Sequence, residues 1–240
     1  MSGHSHWATH KHQKGINDAK RGIVFTKYGR LITIAAREGG SGNPDMNFKL
    51  RLAIDQAKSV NMPKENIDRA IKVGTGESKD GAQIEEILYE GYGPGQVALI
   101  IETATDNRNR TVSEIKSLLT KGNGKFVAAG AVSFLFRRTG LITFLLEKYS
   151  VETLELETLE SGADDFFVED GVFVVVTAVD KLQSVEEYFR TRSIVCESAE
   201  LGYIPLQTAT PSDTDTSSLE KLLETLEDHQ DVQRVWNNAC

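Results

Sequence analysis

Cysteine is scarce in this sequence, and long apolar segments are missing from it. The two cysteines among 240 residues, Cys196 and Cys240, are far apart and belong to no C-x-x-C pair, so we expect reduced thiols in a cytoplasmic protein. The longest apolar runs, 97–101 and 172–176, are far shorter than the roughly 20 residues that cross a bilayer. No apolar stretch follows the first charges, so neither a secretory signal nor a membrane partner is predicted.

Motifs of catalysis are missing as well. Only one histidine, His229, lies beyond the first twelve residues. The sequence contains no G-x-S-x-G and no H-E-x-x-H, and its glycine-rich stretches match neither a dinucleotide fingerprint nor a P-loop. We therefore predict that the protein is not an enzyme, binds no cofactor and has no small-molecule substrate.

Positive charge is concentrated at one end of an acidic chain. The net charge is −8, yet residues 1–80 carry 14 Lys and Arg against 8 Asp and Glu. The remaining residues carry 13 basic and 27 acidic side chains. This asymmetry predicts a basic module attached to an acidic body, although chance and solubility offer a simpler explanation.

The first 30 residues combine these cations with histidine and tryptophan. Cations that neutralise phosphates release counterions, and aromatic rings can stack on bases or sugars. A solvated helix face is the alternative interpretation. We assign nucleic-acid binding, to duplex DNA or ribosomal RNA, to His4, Trp7, His10, Lys11, His12, Lys14, Lys20, Arg21, Lys27 and Arg30.

The histidine pairs at this end do not predict a metal site. His4 and His6 are two residues apart, as are His10 and His12, and a helical zinc site needs a spacing of four. No cysteine or carboxylate nearby completes a set of four ligands, so no biological metal is predicted.

A second cationic group lies in the stretch "DNRNRT", residues 106–111. Asp106 can cap a helix there, and a helix start favours anions rather than the cations Arg108 and Arg110. Their position suggests an external phosphate, so both join the predicted nucleic-acid-binding residues. Pairing with Glu102, Glu114 or other acids of the strands is an equally good interpretation.

Apolar spacing predicts three helices at the start of the chain. Apolar residues recur at helical intervals after residue 24, again between Met46 and Ala57, and again between Ile67 and Ile71. Glycine-rich stretches at 39–42 and 74–76 separate or end these segments. We predict a basic helical domain over residues 1–80.

The rest of the chain alternates between strand and helix patterns. Residues 139–206 follow the order strand, helix, strand, strand, helix, strand, which is typical of a ferredoxin-like fold. Residues 81–138 lack a second helix and a last strand, which 207–240 can supply, so the ferredoxin-like domain is predicted to be inserted in a discontinuous α/β domain. A strand over 131–136, a mobile linker over 208–218 and a helix over 219–226 are also expected.

Several sequence blocks resemble the YebC/PmpR family of regulatory proteins, relatives of the mitochondrial translational activator of cytochrome c oxidase subunit I. The blocks are "GHSHWATHKHQK", "DAKRGIVFTK", "MPKENIDRAI", "YEGYGPG", "DNRNRT" and "GAVSFLF". The resemblance implies an α+β protein with an N-terminal helical domain and two α/β domains, the third inserted in the second. One departure is Gln96, which stands where the family commonly has glycine after "YEGYGPG".

The resemblance also implies a function. For some members it implies DNA-binding transcriptional regulation, which we take as the predicted function. For others it implies a ribosome-associated role in translation, including relief of stalling at proline-rich stretches, and this is the alternative. The sequence supplies no clear helix-turn-helix signal that would decide between them.

Overall fold

A helical module forms the first described part of the chain. The computed structural model describes residues 18–78 and 83–240, with side chains from residue 21 onward. Three helices make up the module: α1 (Asp18–Glu38), α2 (Phe48–Ser59) and α3 (Lys64–Gly74). Asn47 caps α2 by accepting a hydrogen bond from the backbone N–H of Leu50, and its amide group donates to the carbonyl of Ala35 at 2.8 Å. Because α2 begins only after this cap, Met46 lies outside the helix and is exposed rather than facing inward.

A second module begins with an antiparallel hairpin. Its strands β1 (Glu85–Tyr92) and β2 (Ala98–Thr105) are joined by the "GPG" turn. Helix α4 (Arg108–Lys121) follows, and the short strand β3 (Lys125–Val127) then pairs with β1. The hairpin therefore supplies the centre of the first sheet.

The next segment builds a complete second sheet. In chain order its elements are β4 (Phe136–Leu145), α5 (Val151–Ser161), β5 (Asp165–Glu169), β6 (Val172–Thr177), α6 (Leu182–Thr191) and β7 (Ser198–Pro205). The strands lie in the order β5-β6-β4-β7 with antiparallel pairing throughout. This order is the one that a ferredoxin-like connection produces, as the sequence predicted.

The end of the chain returns to the first sheet. Helix α7 (Asp213–Glu227) leads to β8 (Val232–Asn237), which pairs with β2 and gives the strand order β3-β1-β2-β8. Apolar side chains of α4 and α7 cover one face of this sheet. The predicted fold class, with the third α/β unit inserted in the second, is confirmed.

Two local predictions are wrong. Residues 131–135 form a turn and a short 3-10 helix (Ser133–Leu135), because backbone N–H groups of this segment bind a side chain instead of a strand, and only Phe136 belongs to a strand, β4. The segment 208–218 is not a loop throughout, since α7 begins at Asp213. Ser212 caps it by accepting from the N–H of Asp215, so the Ser/Thr/Asp-rich pattern marks a capped helix start.

The two sheets pack face to face, with their helices on the outer faces. Ala98 and Ile100 of the first sheet meet Leu141 and Val174 of the second. The ring of Trp236 fits against Gly202, where a Cβ atom would lie 2.3 Å from the ring. Among the described helices, none is both long and apolar enough to cross a membrane.

Candidate nucleic-acid interface

Most of the predicted binding residues of the N-terminal segment lie outside the described residues. These are His4, Trp7, His10, Lys11, His12 and Lys14. Lys20 lies in the first turn of α1, and Arg21 follows it with an exposed side chain. The described surface of this region thus begins at the N-terminal end of α1.

Lys27 lies further along α1 and contacts the protein itself. Its ammonium group donates a hydrogen bond to the backbone carbonyl of Glu227 at the end of α7. Burial lowers the pKa of Lys27 to about 8, although the nearby carboxylate of Glu227 acts in the opposite direction. Lys27 therefore helps to attach α1 to the first sheet and its helices.

Arg30 and Arg110 bind the same buried carboxylate. Arg30 donates to one oxygen of Asp231 and also to the carbonyls of Ala104 and Gln230, each at 2.9 Å. Arg110 donates to the other oxygen of Asp231 at 2.8 Å, and the hydroxyl of Thr111 donates to that oxygen at 2.7 Å. These contacts join α1, α4 and the start of β8 at one point, which we call the Asp231 junction.

The hydrogen bonds at the Asp231 junction keep its carboxylate ionised. The side chain of Asp231 is fully buried, which raises its pKa. Hydrogen bonds from Arg110, Thr111 and Arg30 outweigh that effect and lower the pKa to about 2. The sequence contained no signal for this residue, because a single aspartate between a helix and a strand is common.

The two arginines at the start of α4 differ in their contacts. Asn107 caps the helix by accepting from the N–H of Arg110 at 3.1 Å, and Arg110 also pairs with Asp106 at 2.9 Å. The internal-pairing interpretation therefore describes Arg110. Arg108 is exposed and forms no ion pair within the described part of the chain, so it is available to an external anion.

The glycines of "YEGYGPG" have structural roles. A Cβ atom on Gly91 would lie 2.9 Å from the carbonyl of Lys125, and one on Gly93 would lie 2.8 Å from Leu219. Gly95 has a φ of +69°, and Gln96 after it has +59°, a backbone region that favours glycine. Close packing and turn geometry thus account for these residues without a ligand.

One trio of side chains resembles a metal site but is already hydrogen bonded. Ligand atoms of Glu114, His229 and Asp231 lie within 4.8 Å of one another. The Nδ1 atom of His229 accepts from the N–H of Asp231 at 3.1 Å, which leaves Nε2 to donate to Glu114 at 2.9 Å. Asp231 is also bound by two arginines, so hydrogen bonds and ion pairs account for the positions of these three side chains without an ion.

Polar side chains also join the modules where they meet. Arg51 of α2 pairs with Glu186 of α6 at 3.1 Å, and Arg234 of β8 pairs with Glu200 of β7 at 2.9 Å. Glu102 of β2 accepts from the indole N–H of Trp236 at 3.0 Å. Burial raises the pKa of Glu102 to about 7, although this hydrogen bond lowers it.

These features define a three-module α+β protein whose basic helical module is held against two face-to-face sheets. The chain belongs to the TACO1/YebC family: the family model for the N-terminal domain matches residues 5–77, and the model for the second and third domains matches 84–239. The family resemblance inferred from the sequence blocks is thereby confirmed.

Curated relatives and a solved structure match over nearly the full chain. Proteins named probable transcriptional regulatory protein from Syntrophomonas wolfei and Persephonella marina are 47% and 48% identical, over 99% of this chain and 96% and 95% of their own. The crystal structure of a conserved hypothetical protein from Aquifex aeolicus is 41% identical with a TM-score of 0.88, and covers 96% of this chain and 94% of its own. The family is thus one whose members are named as regulatory proteins.

Proposed function

We propose that this protein is a transcriptional regulatory protein that binds DNA through its basic N-terminal segment and the start of α1. The observation that carries the proposal is the excess of positive charge in residues 1–80 of an otherwise acidic chain. The exposed side chain of Arg21 at the start of α1 supports it, as do the names of the relatives.

In this proposal the predicted cations divide into two groups. Lys11, Lys14, Lys20, Arg21 and Arg108 contact phosphates, and Trp7 with the histidines contacts bases or sugars. Lys27, Arg30 and Arg110 are held by protein carbonyls and carboxylates, so their role is to fix the direction of α1. About five phosphate contacts on duplex DNA would give a slope near −4.5 for log K against log salt.

A ribosome-associated role in translation is the second candidate. The outer face of α5 favours it, because Leu156 and Leu159 are 58% and 77% exposed there. Glutamates such as Glu152 and Glu160 surround these leucines. An acidic surface with apolar side chains repels nucleic acid and suits a basic protein, such as those that occur on ribosomes.

Two measurements on one set of variants separate the candidates. Lysate is sedimented on sucrose gradients at moderate and high salt, and purified protein is titrated with duplex DNA in the presence of random-sequence competitor. The test variant replaces Lys11, Lys14, Lys20 and Arg21 with Glu. A matched variant makes the same charge change at exposed lysines elsewhere, namely Lys64, Lys121, Lys181 and Lys221.

We expect duplex binding that the test variant loses and the matched variant keeps. Co-migration with ribosomes without preference for any duplex would reject the DNA proposal in favour of the translation role. If the test variant kept both behaviours, the basic segment would have no part in either function.

A further inference from the structure

A buried carboxylate fixes the loop that connects the two sheets. Glu90 of β1 accepts hydrogen bonds from the backbone N–H groups of Gly130, Val132 and Ser133, at 2.7, 2.6 and 3.1 Å. On the other side, the N–H of Leu206 donates to the carbonyl of Leu135 at 2.7 Å. The "GAVSFLF" block is therefore held at both ends, and we call residues 130–135 the clamped loop.

The clamped loop presents an aromatic ring to solvent. Val132 is fully buried and Phe136 is 6% exposed, whereas Phe134 between them is 67% exposed. Leu206, tied to the same loop, is 60% exposed. Because the backbone on either side is fixed, the ring of Phe134 is displayed with little freedom to fold inward.

Two arginines follow Phe136, the residue after the clamped loop. Arg137 and Arg138 are exposed at the start of β4, and neither forms an ion pair with any of the described residues. Arg138 and Arg37, near the end of α1, both act electrostatically on the carboxyl of Glu86. Arg138 therefore lies near the end of α1, where Glu38 and Glu86 are mixed with Arg37 and Lys49.

We propose that Phe134, Arg137 and Arg138 form a second contact surface for nucleic acid, specific for single strands. An unpaired base stacks on Phe134. Arg137 and Arg138 point to opposite faces of β4 and flank the strand edge that is open before Gly140, where pairing with β6 begins, so each guanidinium group binds a phosphate from its own side of that edge. Aromatic side chains stack on any base, and arginine matches phosphate geometry with two parallel hydrogen bonds. This inference rests on the proposed function, because it extends nucleic-acid binding from one end of α1 to the other.

Nucleic acid fits this surface better than a protein partner does. The cations here have the same sign as those of the N-terminal segment and lie on the side of the molecule where α1 ends. A base in a duplex is covered by its neighbours, so a single exposed ring favours an unstacked base. A purely apolar protein contact would need no adjacent unpaired arginines.

The test uses the full chain and a 12-nucleotide single strand that carries the fluorescent base 2-aminopurine, with the corresponding duplex as comparison. Phe134→Ala should weaken single-strand binding by roughly 5- to 100-fold, which is the range for losing one base–aromatic stack. Phe134→Leu should behave like Phe134→Ala, whereas Phe134→Trp should retain both binding and quenching of the fluorescent base. Val195→Ala, at an apolar side chain that is 66% exposed on another surface, is the matched control and should bind as the unsubstituted protein does.

The salt dependence of binding tests Arg137 and Arg138 separately. Replacing both Arg137 and Arg138 with Ala should reduce the slope of log K against log salt by about 1.4, at roughly 0.7 per phosphate on a single strand. The matched variant Lys181→Ala/Lys221→Ala removes two exposed cations from other surfaces and should leave the slope unchanged.

The outcomes separate this inference from the proposed function. If the unsubstituted protein bound no nucleic acid, both would fail together. If binding depended on Lys11, Lys14, Lys20 and Arg21 but every Phe134 variant bound equally well, only the second surface would be rejected. If Phe134→Leu retained full binding without quenching, the contact would be apolar docking of a protein or strand, and base stacking would be excluded.

Discussion

Single side chains determine how the basic helix α1 is held against the rest of the protein. Arg30 of α1 and Arg110 of α4 share the buried carboxylate of Asp231, and Lys27 binds the end of α7. The sequence identified these cations but not their partners, because the pairing depends on residues far apart in the chain. Charge patterns predict where cations are, and only the folded arrangement decides which of them remain exposed.

Replacing Asp231 with Asn should destabilise the protein by about 3 kcal/mol, since Arg30 and Arg110 would lose the buried anion that they share. The pKa of Asp231 is about 2 in the folded state instead of 3.8, so its contribution to stability is present above pH 4 and is lost as the pH falls toward 2. Chemical denaturation between pH 2 and pH 7 measures both effects. Asp68→Asn, at an exposed position on α3, should change stability by less than about 0.5 kcal/mol.

Gln96 should be a source of backbone strain. Its φ of +59° is unfavourable for a side chain with a Cβ atom, so Gln96→Gly should raise the free energy of unfolding by about 1 kcal/mol. The urea midpoint should rise while the denaturant slope stays constant. Asn123→Gly, at a φ of 58°, is the comparison. Its free energy of unfolding should rise by less, because asparagine tolerates this region better than glutamine. An equal gain at both positions would contradict this explanation.

Helices and strands were predictable where their apolar periodicity is strong. The second sheet follows the predicted order strand, helix, strand, strand, helix, strand. The strand predicted over 131–136 failed because its apolar residues do not reveal that Glu90 binds their backbone N–H groups. The sequence could not show that two separate blocks, "YEGYGPG" and "GAVSFLF", are parts of one hydrogen-bonded unit.

Glu90→Gln should loosen the clamped loop. Gln presents an N–H₂ donor where the loop offers only backbone donors, so we expect a loss of about 2 kcal/mol. Hydrogen exchange should accelerate at the amides of Gly130, Val132 and Ser133 while β6 stays protected. Glu85→Gln, at an exposed position on the same strand, should leave all three amides unchanged. Unaltered exchange in Glu90→Gln would mean that the loop is held by other contacts.

At the scale of the whole molecule, the modules meet through buried polar groups as well as apolar surface. Glu102 of β2 lies among Trp236 and Arg234 of β8, Glu200 of β7 and Glu86 of β1. Such groups are costly to bury in ionised form, so the packing of the two sheets is coupled to protonation. This coupling depends on residues from four strands and is invisible in any local sequence pattern.

The free energy of unfolding should therefore decline as the pH rises from 4.5 to about 7. The pKa of Glu102 is raised from 4.5 to about 7 by burial, so the folded state favours the neutral carboxyl. The free-energy cost of ionising Glu102 in the folded protein grows as the pH rises between these two values. Glu102→Gln keeps an acceptor for the indole N–H and should be about 3 kcal/mol more stable than the unsubstituted protein at pH 8, with little difference at pH 4.5. Thermal unfolding followed by tryptophan fluorescence measures the difference. Glu152→Gln, at an exposed position on α5, should show the same pH profile as the unsubstituted protein.

The return of the chain to the first sheet has a consequence for its biosynthesis. From Thr105 until Val232 is made, the outer edge of β2 has no strand beside it, and Asp231 is not yet present to receive Arg30 and Arg110. The inserted unit can acquire its own tertiary structure during this interval, since all of its strands are contiguous in the chain. The nascent protein thus carries an open edge that invites pairing with other chains until translation of the last strand closes it.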